Sequence, residues 1–181
     1  MRYDKIYLEF TYPIEHYFTV ATREEKIWDI VLPLIFGAIG YFLIIYFDFT
    51  IPTKNIDQLF PSVIILLSIL IGFTISTVTI LANSRDELKV ETDRIIEEVK
   101  INLYQLMNIW FIITLFSEII ALVFNMVILL LASYGVPLVT NNINLIIAIN
   151  IYLISQVLLL NVRNITNFYF ILHGIPNHQQ E

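Results

Sequence analysis

The stretch Ser62–Ala82, SVIILLSILIGFTISTVTILA, holds twenty-one residues without a single charge. A helix that crosses a bilayer needs about 20 apolar residues, because each adds about 1.5 Å against about 30 Å of hydrocarbon. Three further stretches meet the same condition: Ile27–Phe47, uncharged from Ile30 onward; Leu106–Ala132, interrupted only by Glu118; and Ile143–Val162. The 181-residue chain is 57% hydrophobic and only 14% charged, with a mean hydropathy of +0.75. A soluble domain carries about 25% charged residues. A soluble multidomain enzyme and a disordered chain are therefore both excluded. The expected fold is all-α: a polytopic membrane protein with four transmembrane helices.

Local signals punctuate these spans. Thr22 followed by Glu25 reads as a capping box that starts the first helix ahead of the bilayer. Pro61 is placed to open the second helix, where a missing N–H costs nothing. Gly135 and Pro137 end the third. Asn141 and Asn142 can cap the fourth, which Gly174 and Pro176 end, so that helix is expected to run to His173. The expected organisation is an aromatic-rich arm over 1–26, a transmembrane domain over 27–173 and a short tail over 174–181.

Orientation follows from the basic residues. Nine of ten lie in the N-terminal arm, the loop between helices two and three, or after helix four; Lys54 alone lies in an opposite loop. Cytoplasmic flanks collect Lys and Arg, so both termini and the central loop are expected to be cytoplasmic. Trp28, Tyr104 and Trp110 fall near the inner interface and Tyr46, Phe49 and Tyr134 near the outer one. Asp29 is expected to be a solvated boundary charge.

The central loop has opposite charges at helical spacing: Asp86–Lys89, Glu91–Arg94 and Glu97–Lys100. Leu88, Ile95, Val99 and Leu103 form a narrow apolar stripe, and Ser84 with Glu87 resembles a second capping box. The segment 84–104 is accordingly expected to be an amphipathic cytoplasmic helix. Its six acidic residues against four basic ones do not suit anionic lipid. Arg85, Glu87, Lys89, Glu91 and Arg94 are candidates for docking a soluble cytoplasmic protein. In the arm, alternation over Lys5–Phe10 hints at a short strand, and the many rings suit an interfacial anchor or a docking segment.

Within the spans, Glu118 is the one charge well inside the hydrocarbon. An acid there costs roughly 2.5–3.5 kcal/mol to insert. No Lys, Arg or His lies at its depth, so it must be protonated, hydrogen-bonded to neighbours, or wetted. It could act as polar glue, as part of a conduction or gating element, or as a proton relay. Ser117, Ala121 and Asn125 continue a polar face beside it. On the second helix Ser68, Gly72, Ser76, Thr79 and Asn83 recur at spacings of 4, 4, 3 and 4. The candidates for a pore or gate are Glu118, Asn125, Ser117, Ser76 and Thr79. Those for close helix packing are Ser68, Gly72, Ser76, Gly37 and Gly40. On the fourth helix Asn150 and Asn161 share a face.

Enzyme motifs are absent: no His-Glu-x-x-His, Gly-x-Ser-x-Gly or Walker loop occurs. There are no cysteines, and His16, His173 and His178 are not at ligand spacing, so no metal or cofactor is expected. A net charge of −6 argues against nucleic acid. The first 26 residues contain no signal-peptide core, so none is expected to be cleaved.

Ile71-Gly72-Phe73-Thr74 through Thr79-Ile80-Leu81, followed by a charged segment from Ser84, is similar to small four-helix membrane subunits of bacterial anti-phage operons, of the Kiwa or Hailong type. The resemblance implies an oligomeric sensor or channel-like effector of the bacterial inner membrane, paired with a soluble cytoplasmic protein. A Hailong-type effector is expected to respond to a DNA oligomer, which the acidic cytoplasmic parts here do not suit. The Cys-free, Ile- and Asn-rich composition looks bacterial. The expected function is therefore a channel-like effector or sensor in anti-phage defence, a homo-oligomer in contact with membrane lipid. The alternatives are a binding protein of the bacteriocin-immunity type and a transporter accessory subunit.

Overall fold

The computed structural model describes residues 11–47, 53–84 and 88–172. A short helix α1 (Tyr12–Val20) precedes the first span, α2 (Arg23–Tyr46). The second span, α3 (Thr53–Asn83), leads to a hairpin of β1 (Glu91–Ile96) and β2 (Val99–Asn102). The third span is α4 (Leu103–Ser133); a single turn, α5 (Pro137–Asn141), joins it to the fourth, α6 (Ile143–Leu172). Four helices are thus long and apolar enough to cross a membrane, which makes this a multi-pass membrane protein.

The capping box at the head of α2 is present in both directions. The Glu25 N–H donates to Thr22 Oγ1 at 3.2 Å, and the Thr22 N–H donates to Glu25 Oε2 at 2.7 Å. One turn later α2 widens into a π-turn over Ile27–Val31. Pro33 explains the site: it has no N–H for the carbonyl of Asp29, and the Leu32 N–H reaches back five residues to Ile27 instead. At the other end of the bundle, Gly135 takes a positive φ of 65°. The N–H groups of Gly135 and Val136 then close on the carbonyls of Ala132 and Leu131, and the third span stops there. Pro61 does not open α3 but lies inside it, because the helix begins at Thr53.

Within the segment expected to be an amphipathic helix, residues 91–102 form a β-hairpin instead. Ile96 pairs with Val99 and Ile95 with Lys100 across a two-residue turn. Its β-branched residues Thr92, Ile95, Ile96, Val99 and Ile101 fit strands better than a helix. The turn residues Glu97 and Glu98 both have positive φ, 48° and 67°, the geometry of a tight hairpin turn normally given to Asn-Gly. The expected cap at Ser84–Glu87 falls partly on residues outside those described. The strand β2 runs straight into α4, where Asn102 and Gln105 form a reciprocal capping box with both bonds at 2.9 Å. The strand suggested at 5–10 and the helix end at Gly174 also lie outside the described residues.

The spans touch in the order first, fourth, third, second, each antiparallel to its neighbour. Gly37 makes the first contact close: a Cβ there would sit 2.9 Å from Tyr152 Cβ and 3.2 Å from the Ala148 carbonyl. Three apolar cores follow along the bundle. The hairpin-side core joins Tyr17, Leu81, Leu88, Ile101, Met107 and Phe111. The central one holds Leu67, Ala121, Leu153 and Val157, and the far one Phe60, Ile128, Val139 and Ile146. Helix α1 and the hairpin form a cap on one end, the side on which α6 also finishes.

Candidate functional site: a polar seam between three spans

Trp110, Thr114, Glu118, Ala121 and Asn125 are all buried and recur every three or four residues, so they form one stripe of α4. That stripe meets Thr74 of α3 and Asn150, Asn161 and Asn164 of α6, which are also buried. Polar side chains in such a place must find partners, because hydrocarbon offers none.

Glu118 is the middle of the seam. Its Oε1 accepts from Thr74 Oγ1 at 2.9 Å and from Asn161 Nδ2 at 2.8 Å, so one carboxyl oxygen links three spans. Oε2 is buried and has no partner in the protein. Toward the far side, Asn125 and Asn150 exchange amide bonds of 3.2 and 2.9 Å, and Asn125 also donates to the Ala121 carbonyl at 2.8 Å. Beyond that pair lies the apolar core of Phe60, Ile128, Val139 and Ile146.

Toward the cap the seam continues. Asn164 Nδ2 donates to Thr114 Oγ1 at 2.7 Å, and Thr114 donates to the Trp110 carbonyl at 3.0 Å. The Arg163 guanidinium lies 5.3 Å over the Trp110 ring and forms an ion pair with Asp29 Oδ2. The same oxygen accepts from the Tyr17 hydroxyl at 2.6 Å. Burial, and then the carboxylate it donates to, push the Tyr17 phenol far above its ordinary value of 10.0. Asp29 Oδ1, Trp110 Nε1, Arg163 Nε and Nη2, and Asn164 Oδ1 are buried without protein partners.

Arg94 ties the hairpin into this end. Its Nη1 donates to the Val20 carbonyl at 3.1 Å and its Nη2 to Glu25 Oε1 at 3.2 Å. Glu25 is thus held at once by the hairpin and by the capping box of α2.

The structure divides the residues singled out as pore or gate. Glu118 and Asn125 face inward on the seam, and Ser117 is half-buried beside them. Ser76 and Thr79 are exposed on the opposite face of α3, their hydroxyls turned back onto the carbonyls of Gly72 and Ile75. Of the packing candidates, Gly37 and Gly40 touch α6 through Tyr152 and Ile151, whereas Ser68, Gly72 and Ser76 are exposed and nothing lies within 4 Å of a Cβ placed at Gly72. Among the docking candidates, Lys89 and Glu91 are exposed at the hairpin's entrance and Arg94 is engaged as described. Arg85 and Glu87 lie outside the described residues.

Asp29 corrects the expectation of a solvated boundary charge: it is 1% exposed and paired. Its partner was hidden by distance along the chain. An available signal was that Asp29 and Arg163 fall at the same end of their spans with opposite charge. Asn161 and Asn164 likewise sit at i and i+3, one face of α6, where both reach the third span. Among the described residues no group of three His, Cys, Asp or Glu could hold a metal ion. Comparison with known protein families, with curated protein sequences and with solved structures finds no match.

Proposed function

We propose that this protein is the membrane subunit of a bacterial anti-phage system, an oligomeric sensor or channel-like effector set by a soluble partner that docks on the cap. In this reading the cap and both termini face the cytoplasm and the spans cross the inner membrane, as the nine-to-one distribution of Lys and Arg favours. The observation that carries the proposal is the Tyr17–Asp29–Arg163 node. It joins a helix of the cap to the first and fourth spans through one carboxylate oxygen. Movement of α1 or the hairpin is therefore felt at the end of the polar seam, with Arg94 as the second link. The outward stripe of Ser68, Gly72 and Ser76 supports self-association, since small residues let spans approach closely. Glu118 serves in this reading as a switchable interior and not as a pore wall.

The test is membrane potential and growth in cells carrying the gene with its neighbours, before and after phage challenge. The proposal expects depolarisation or growth arrest on challenge with the wild type and neither with Arg94→Ala at equal membrane level. A wild type that changes neither quantity contradicts it and favours a pure binding role of the immunity type.

A further inference from the structure

We infer that Glu118 is a proton-binding site in the middle of the membrane, reached by water from the hairpin side alone. The first ground is the company it keeps. The second span presents Thr74 to it and the fourth Asn161, neither of which titrates. No residue of Gln58–Asn83 is charged, and Arg163 is the one charged residue of Ile143–Phe170. The next charges along the seam are Arg163 and Asp29, which neutralise each other. An ionised carboxylate with two neutral donors and a bare second oxygen is costly in hydrocarbon, and a proton on Oε2 removes that cost.

The second ground is the asymmetry of the seam. From Glu118 toward the cap, every layer has a buried polar atom without a protein partner. These are Oε2 of Glu118, Oδ1 of Asn164, Nε1 of Trp110, Nε and Nη2 of Arg163, and Oδ1 of Asp29. They include both donors and acceptors, and buried water needs such a mixed lining. The column ends at a cavity of about 450 Å³ in which Arg163 meets Glu24, Glu25, Thr166 and Asn167. Toward the far side the Asn125–Asn150 pair spends its amides on itself and on the Ala121 carbonyl, and the Phe60–Ile128–Val139–Ile146 core closes the path. The step is simple: a hydronium at the mouth gives up one proton, which forms the O–H bond on Oε2 and leaves water. This inference does not depend on the signalling role.

Dicyclohexylcarbodiimide attacks a membrane carboxyl only when it is protonated, so it reports the site without any buried substitution. Full-length protein is placed in vesicles whose two compartments are buffered separately. The hairpin side is identified by an impermeant thiol reagent on Glu98→Cys, the chain having no other cysteine. Label on Glu118 is read by mass spectrometry, with Glu118→Gln as the blank. The expected result is that acidifying the hairpin side raises the yield several-fold and acidifying the opposite side leaves it unchanged. A yield that follows the opposite side or both sides overturns the inference. So does a yield that is pH-independent, or no label at any pH.

Discussion

Asp29 and Arg163 stand 134 residues apart in the chain and form an ion pair where the first span meets the fourth. Their side chains are 2% and 10% exposed, so each charge depends on the other. Removing one partner of a buried pair costs about 3–5 kcal/mol, because the remaining charge is left uncompensated. Arg163→Leu is expected to lose stability of that order. Asp29→Asn combined with Arg163→Leu is expected to lose less than the sum of the two single changes. Thermal unfolding of the four proteins in one detergent measures this coupling.

Tyr17 gives the same node an alkaline limit. Its folded value lies above its unfolded one, so the folded state holds the proton longer. The stabilisation is complete below the unfolded value, about 10, and is lost as pH rises from there toward the folded value. The wild type should lose melting temperature above about pH 10 faster than Tyr17→Phe, which has no proton to lose. A difference that appears on the acid side instead would contradict the assignment.

The glycines should divide by what surrounds them. Gly37→Ala drives a methyl against the Tyr152 Cβ and a backbone oxygen and is expected to cost about 1–3 kcal/mol. Gly40→Ala meets the tip of Ile151, 2.6 Å away, which can change rotamer, so its cost should be smaller. Gly72→Ala has nothing within 4 Å and should leave the stability of the single chain unchanged. Thermal unfolding of the three variants ranks them.

The hairpin turn holds two non-glycine residues in left-handed backbone. Replacing Glu98 by Gly relieves that conformation and is expected to stabilise the cap by about 1 kcal/mol. Hydrogen exchange of residues 91–102 should slow in Glu98→Gly, and faster exchange would contradict the turn geometry.

What could be read before the structure was whatever depends on neighbours in sequence. The four spans follow from uncharged length. The Thr22–Glu25 box and the stop at Gly135 follow from residues a few positions apart. The partners of Glu118 could be anticipated in kind, as hydroxyl or amide, but not by number, since Thr74 and Asn161 lie 44 and 43 residues away. The hairpin was masked by charge pairs that fit a helix, and its turn lacks the Asn or Gly that usually announces one. Arg94, which suits an i, i+3 pair with Glu91, bonds Glu25 across the fold instead. The second helix's small-residue stripe suggested a packing face, but Ser68, Gly72 and Ser76 are exposed and nothing lies within 4 Å of a Cβ at Gly72.

The coupling of cap to bundle is tested most directly by hydrogen–deuterium exchange of the wild type against Arg94→Ala, read peptide by peptide in a bilayer. Loss of Arg94 removes the hairpin's bonds to Val20 and Glu25, so exchange should rise in the hairpin and α1, then around Asp29 and around Arg163 at the cap end of the fourth span. It should stay unchanged around Asn125 and Asn150, beyond Glu118. An increase confined to residues 91–102 would contradict the account, because the cap would then move without the spans.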